Sequence, residues 1–282
     1  MHLASVRDNG TERGAAVHPE RGVVLLADLD GVPGDVLGVL AADALADVRA
    51  AADRAPASAF RDPEGVEFGA PYRHPRKIWG IGLNYVEHAA DLTEQVPEEP
   101  ASFMKGDHTI IGPGDPIPVP PQSERTTAEA ELGLVIGRYC RDVEPEQALD
   151  HVAGVVPVLD QTAEDILARN PRFLTRSKNF PGFFAFGPRI VPLDEAIAAA
   201  GSLGDIQVTT VLNDREQRSN VVSRMRYDPA FLVSFHSKVM PLFPGDIISP
   251  GTPGALHVRP GDVVECRIPG VGVLRNPVVA AG

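Results

Sequence analysis

Cysteine is scarce in this chain. Cys140 and Cys266 are the only two in 282 residues, far apart and without C-x-x-C spacing, which speaks against a disulfide framework and a cysteine-ligated zinc site and fits a reducing, cytoplasmic compartment. Long apolar runs are missing too: no uninterrupted segment approaches the roughly 20 residues that span a bilayer, so no membrane association is expected. The N-terminus, Met1 to Asp8, has no apolar stretch behind its basic residue, and a secretory leader is not expected either. Positive charge is in deficit, with 26 Lys and Arg against 38 Asp and Glu and a net charge of −12. Such a surface repels phosphate, which argues against nucleic acid as a partner. What remains is ordinary for a soluble globular protein, 43% hydrophobic and 23% charged. The length suits one large domain, or one domain with a smaller companion.

The pattern along the chain favours the second arrangement. Residues 1–75 read as a small N-terminal α/β domain: Val23 to Ala27 is a short strand ending in the turn Asp28-Leu29-Asp30-Gly31, Asp35 to Arg54 has helical spacing, and Ala55 to Tyr72 is loop-like. A second domain, residues 76–282, opens with the buried strand Ile78 to Gly82. Three Pro-Gly-Asp triplets, at 113–115, 244–246 and 260–262, each precede a strand-like run. Proline fixes φ at the second turn position and glycine supplies φ > 0 at the third, so each predicts a type II turn. Helices are few: Glu144 to Val152, with Pro145 in its first turn, and Thr162 to Ala168, opened by a capping box of Thr162 and Asp165 and stopped by Asn170-Pro171. The fold class is therefore β-rich α+β.

The segment Thr127 to Gly137 carries the clearest chemistry. As a strand it puts Glu129 and Glu131 on one face, with α-carbons roughly 6.5–7 Å apart, and Leu132, Leu134 and Ile136 on the other. Two like charges at that spacing call for a cation between them, and carboxylate oxygens are what Mg2+, Mn2+ and Ca2+ prefer. Asp160 follows a second buried strand, Gly154 to Leu159, and sits just before a helix start. There it is either a third ligand or a helix cap. His88 and Asp91, three apart after Gly82-Leu83-Asn84-Tyr85, can touch on one helical turn, the arrangement of an acid–base pair. Lys178 lies in Thr175-Arg176-Ser177-Lys178-Asn179 ahead of Phe180, Phe183, Phe184 and Phe186, where a cation near a metal could hold an enolate or carboxylate oxygen.

The ordered set G-L-N-Y-x-x-H-x-x-D (82–91), P-x-x-F-x-K (100–105), G-P-G-D-P-I (112–117), E-x-E-L-x-x-V-I-G (129–137), L-D-x-T-A (159–163), S-K-x-F (177–180) and G-T-P (251–253) resembles the fumarylacetoacetate hydrolase superfamily over about residues 77–282. The resemblance implies a mixed β-roll catalytic domain, a small N-terminal domain, a homodimer and a divalent metal, Mg2+ or Mn2+, with Ca2+ admitted. It implies Glu129, Glu131 and Asp160 as metal ligands, His88 and Asp91 as the acid–base pair, Lys178 as a catalytic lysine, and Tyr85, Phe103, Lys105 and Thr252 around the substrate, where Arg176 is a candidate to compensate for an arginine the family commonly has at position 164. Two departures concern the substrate: Glu164 and Leu167 stand where many relatives have arginine and glutamine, and Ser249 to Leu256 departs from the common T-G-T-P-x-G-V-G; Asp91, where glutamate is common, makes the acid–base pair one methylene shorter.

The function expected is a metal-dependent hydrolase cleaving a C–C bond of an acylpyruvate or related 2-oxo, 1,3-diketo acid. On the same fold the alternatives are an oxaloacetate-type decarboxylase and an isomerase or hydratase of an unsaturated 2-oxo acid. A non-catalytic metal-binding paralogue is the alternative from another class.

Overall fold

Two antiparallel strands, Thr126–Ile136 and Val152–Ala163, are the longest strands of the computed structural model, which describes residues 1–86 and 97–282. They pair from Thr126–Ala163 to Ile136–Val152, with one register irregularity between Val152 and Gly154. Around them a mixed sheet of 13 strands is built. Its main path runs Gly22–Leu25, Thr11–His18, His2–Asp8, Arg189–Pro192, Val152–Ala163, Thr126–Ile136, Ile247–Ser249, Ile78–Gly82 and Ala101–Lys105. A second sheet of five strands is ordered Arg215–Val221, Gln207–Leu212, Val263–Ile268, Gly272–Ala280 and Ile117–Val119. The β-rich α+β architecture expected from the sequence is the one observed. The first 75 residues join the large sheet by strand pairing, Leu3 opposite Ile190 and Ala4 opposite Arg189.

The long strands are covered on both faces. Leu132, Leu134, Ile136, Val155 and Leu159 are fully buried and share one apolar cluster with Val208, Val264, Cys266 and Leu274 of the five-stranded sheet. On the opposite face, Val135, Val156 and Val158 pack with Leu3, Val24, Val36, Phe184 and Phe186. Each such side chain contributes about 1.5–3 kcal/mol through burial. Carboxylates on strands buried this thoroughly require compensation, and that singles out the few present.

All three Pro-Gly-Asp triplets form the expected turns: Gly114, Gly245 and Gly261 have φ of 76°, 87° and 99°. The aspartates add a second clamp. Asp115, Asp246 and Asp262 each accept, through a side-chain oxygen, the N–H of the residue three before, at 2.8 Å in every case. Asp246 also pairs with Lys77 Nζ at 2.6 Å and accepts the Lys77 N–H at 2.8 Å, which ties its turn to the start of the strand Ile78–Gly82.

Three local expectations are corrected. The helical stretch Asp35 to Arg54 is two helices, Val36–Ala41 and Leu45–Arg54, separated where Asp43 adopts φ 51°. Asp160 is not a strand-end residue, because its strand continues to Ala163. The capping box does not form: Thr162 lies in that strand and its hydroxyl bonds Glu129, while Ser123 bonds Asp165. No helix among the described residues is long and apolar enough to cross a membrane.

Candidate active site

Strand register assembles the carboxylates. Asp160 stands directly opposite Glu129, and Glu131 lies two residues along on the same face of its strand. One oxygen from each of Glu129, Glu131 and Asp160 lies within 4.8 Å of the others. Exposure is 9%, 2% and 1% respectively, so the group is cut off from the water that would screen its charge.

Two buried lysines face it. Lys178, the last residue of the short helix Leu174–Lys178, places Nζ 2.6 Å from Asp160 Oδ2 and 3.0 Å from Glu129 Oε2. Lys105, the last residue of the strand Ala101–Lys105, reaches Asp160 Oδ1 at 2.5 Å and the Gln161 carbonyl at 3.3 Å. A further layer of donors orients the glutamates. Thr127 and Thr162, a cross-strand pair, donate to Glu129 Oε1 at 3.1 and 2.6 Å. Ser249 Oγ and the Gly251 N–H donate to Glu131 Oε2 at 2.5 and 2.9 Å.

The electrostatics follow from burial. Desolvation, reinforced by the charge of Asp160 and opposed by the Ser249 hydrogen bond, raises Glu131 to about 8. Burial pulls Lys105 down to about 8, against the attraction of Asp160 and with the repulsion of Lys178. Lys178 is also desolvated, but Asp160 and Glu129 outweigh that and hold it above the ordinary lysine range. Two ammonium groups therefore do not suffice to keep three carboxylates ionised near neutral pH. An oxygen-only donor set of this size and charge fits a hard divalent cation such as Mg2+ or Mn2+.

The other residues singled out from the sequence occupy a range of positions. Phe103 is buried with its ring 4.6 Å from Lys178 Nζ. Thr252 is buried in the loop whose Gly251 bonds Glu131, and its hydroxyl lies 3.3 Å from the Gly254 N–H and 3.3 Å from the Gly254 carbonyl. Tyr85 is fully buried and forms a β-bridge with Met225. Arg176 is at the exposed surface of its helix. His88 and Asp91 lie outside the described residues. Glu164 pairs with Arg125 at 2.7 Å, away from the buried carboxylates. Sequence reading missed Thr127, Thr162, Ser249 and Gly251. For the two threonines a signal existed, since both share the Glu129 face of paired strands.

Comparison with known proteins follows the same lines. The profile of the Fumarylacetoacetate (FAA) hydrolase C-terminal family matches residues 77–279. Oxaloacetate tautomerase fahd2, mitochondrial, from Xenopus laevis is 37% identical over 219 residues, 74% of this chain and 67% of that protein. Among solved structures, maleylpyruvate hydrolase from Sphingobium sp. SYK-6, in complex with manganese (II) ion and pyruvate, superposes with a TM-score of 0.82 at 25% identity, covering 100% of both chains. The 2-hydroxyhepta-2,4-diene-1,7-dioate isomerase from Mycobacterium marinum gives a TM-score of 0.77 at 27% identity, covering 100% of this chain and 99% of that one.

Proposed function

This chain belongs to the fumarylacetoacetate hydrolase family, and we propose that it is a divalent-metal-dependent hydrolase cleaving the C–C bond of an acylpyruvate or related 1,3-diketo 2-oxo acid. The observation that carries the reading is the buried Glu129–Glu131–Asp160 group with Lys178 bonded to two of its members. These three carboxylates would hold the ion. Mg2+ or Mn2+ bound there would supply Lewis acidity toward the 2-oxo and carboxylate oxygens of the substrate. The family match starts at residue 77, which supports the catalytic domain beginning near 76. A cytoplasmic homodimer is the assembly proposed.

The protein's own groups then have distinct tasks. His88, oriented by Asp91, takes a proton from water, and the water oxygen adds to the distal carbonyl. The C–C bond breaks, and its electron pair leaves as the enolate of the pyruvoyl half. Lys178 donates a hydrogen bond to the enolate oxygen where charge develops, from a site that excludes water. The proton held by His88 passes to the enolate carbon and closes the balance. Phe103 walls the pocket beneath Lys178, and Thr252 holds the substrate carboxylate.

A second reading, proton transfer without C–C cleavage, is supported by the names of the tautomerase and isomerase relatives. It uses the same carboxylates and Lys178 but no attacking water. A spectrophotometric screen of acylpyruvates and oxaloacetate separates the two. Loss of diketone absorbance with Mg2+ or Mn2+, stopped by chelator and by Glu131→Ala and slowed about 10²–10³-fold by Lys178→Met, is the expected result. Keto–enol interconversion of oxaloacetate with inert acylpyruvates would replace the hydrolase by the second reading.

A further inference from the structure

A serine hydroxyl and a histidine ring with no part in the carboxylate site meet on the other side of the large sheet. Phe103 and Lys105 point from the strand Ala101–Lys105 toward Lys178 and Asp160, so Ser102 and Met104 point from its opposite face. On that face packs the helix Pro229–Val239. Its Leu232 and Val233 share a buried cluster with Trp79 and Ile81, which stand opposite Met104 and Ser102. His236 projects from the helix, buried, with its ring centroid 4.8 Å from that of Trp79.

The partners fix the protons. His236 Nδ1 lies 2.7 Å from the Leu232 carbonyl oxygen, which only accepts, so Nδ1 carries the ring proton. Burial lowers the pKa from 6.5 against the pull of that bond, which keeps the ring predominantly neutral at pH 7. Nε2 is then a bare lone pair, 2.7 Å from Ser102 Oγ. The hydroxyl has one proton to give. Its other neighbour, the Pro100 carbonyl, is at 3.2 Å, and the shorter contact takes it. Nucleophile, base within hydrogen-bond reach and a third group that orients the base are the arrangement that activates a serine. Exposure is graded to match: His236 is sealed in and Ser102 is half-buried. Beside them runs a row of rings, with Phe235 5.3 Å from His236, Phe231 5.9 Å from Phe235 and Tyr227 5.1 Å from Phe231. Phe231 and Met104 are exposed, giving apolar surface suited to an acyl or aryl group. Ala101–Lys105 also ends its sheet path, so every second N–H faces away from Ile78–Gly82, and such backbone donors suit a developing oxyanion.

We propose that Ser102 is a nucleophilic serine with His236 as its general base, forming a second, metal-independent site that takes the acyl group of an activated aryl ester. The inference stands apart from the function proposed above. Ser102 Oγ adds to the ester carbonyl as its proton passes to His236 Nε2. The bond from the carbonyl carbon to the aryl oxygen breaks, and the leaving oxygen takes that proton. Water then repeats the exchange on the Ser102 ester, which releases the carboxylic acid and restores the hydroxyl.

The test treats the full chain in EDTA with a fluorophosphonate, which phosphonylates activated serines, and follows it by intact mass, peptide mapping and hydrolysis of p-nitrophenyl acetate. A single phosphonyl group that maps to Ser102 and stops ester hydrolysis is the expected result. Ser102→Ala should abolish both, and His236→Gln should slow labelling about 10²–10⁴-fold. The adduct is mapped on wild type, so the assignment stays open to refutation even where a variant fails to fold. No adduct, an adduct at another residue, or unchanged labelling in a His236→Gln protein that urea unfolding shows to be folded overturns the assignment and leaves the pair as a tie between strand and helix.

Discussion

Replacing Glu131 by glutamine should stabilise the metal-free protein and destabilise the metal-loaded one relative to wild type. The side chain is 2% exposed, and burial together with Asp160 moves it from 4.5 to about 8. Between those values the folded protein holds a proton that the unfolded chain has released. Stability contributed by this group is thus lost as pH rises through the window, by up to about 1.4 kcal/mol per pH unit. From pH 5.5 to 7.5 the loss amounts to about 2–3 kcal/mol on this count. Glutamine has the same shape and does not titrate, and its carbonyl can still accept from Ser249 and the Gly251 N–H. In EDTA the variant should therefore gain on wild type by about 2–3 kcal/mol over those two pH units, read from equilibrium urea unfolding. Saturating Mn2+ should reverse the order, because ion at about 1,000 times its Kd adds about 4.1 kcal/mol to wild type. Parallel pH dependences in EDTA, or a variant less stable than wild type at pH 7.5 without metal, would refute the electrostatic reasoning.

Three further outcomes are expected. Asp246→Ala removes a fully buried carboxylate and leaves Lys77 and two backbone N–H groups without their acceptor, which should cost about 3–5 kcal/mol in urea unfolding. Gly254→Ala places a methyl group against Arg218, a flexible side chain that can swing away. Stability should change by less than about 1 kcal/mol in urea unfolding. His236 is buried, with Nδ1 2.7 Å from the Leu232 carbonyl and Nε2 2.7 Å from Ser102 Oγ, and burial lowers its pKa from 6.5 despite the Leu232 bond. The unfolded chain binds this proton first, so stability should drop as pH falls below 6.5, and His236→Gln should remove that part of the dependence in thermal melts at about pH 7 and 5.5.

Whatever alternation and turn chemistry govern was legible in the sequence. Glu129 and Glu131 share a face because side chains alternate along an extended chain, and the three Pro-Gly-Asp turns follow from φ restrictions local to each triplet. Asp160 was harder, because its neighbours fit a helix start as well as a strand. Thr162 could serve as a cap only if the strand ended before it, and the pairing of Thr162 with Thr127 carries the strand on to Ala163. That pairing spans 35 residues, so no local pattern records it. The same limit applies to the lysines. Lys105 and Lys178 lie 73 positions apart and converge on the two oxygens of Asp160 through separate elements. Family resemblance marked them as site residues, but their direct contact with the carboxylates depends on tertiary packing. Arg218 lies beyond both kinds of signal. It belongs to a strand whose residues 215–219 are exposed and polar, which reads as an ordinary solvated edge. Only the missing side chain at Gly254, against which Arg218 lies, reveals that this edge leans over the Thr252 loop. A carboxylate cluster can thus be read from one strand's alternation, whereas the cations that set its charge balance come from whichever elements the fold brings alongside.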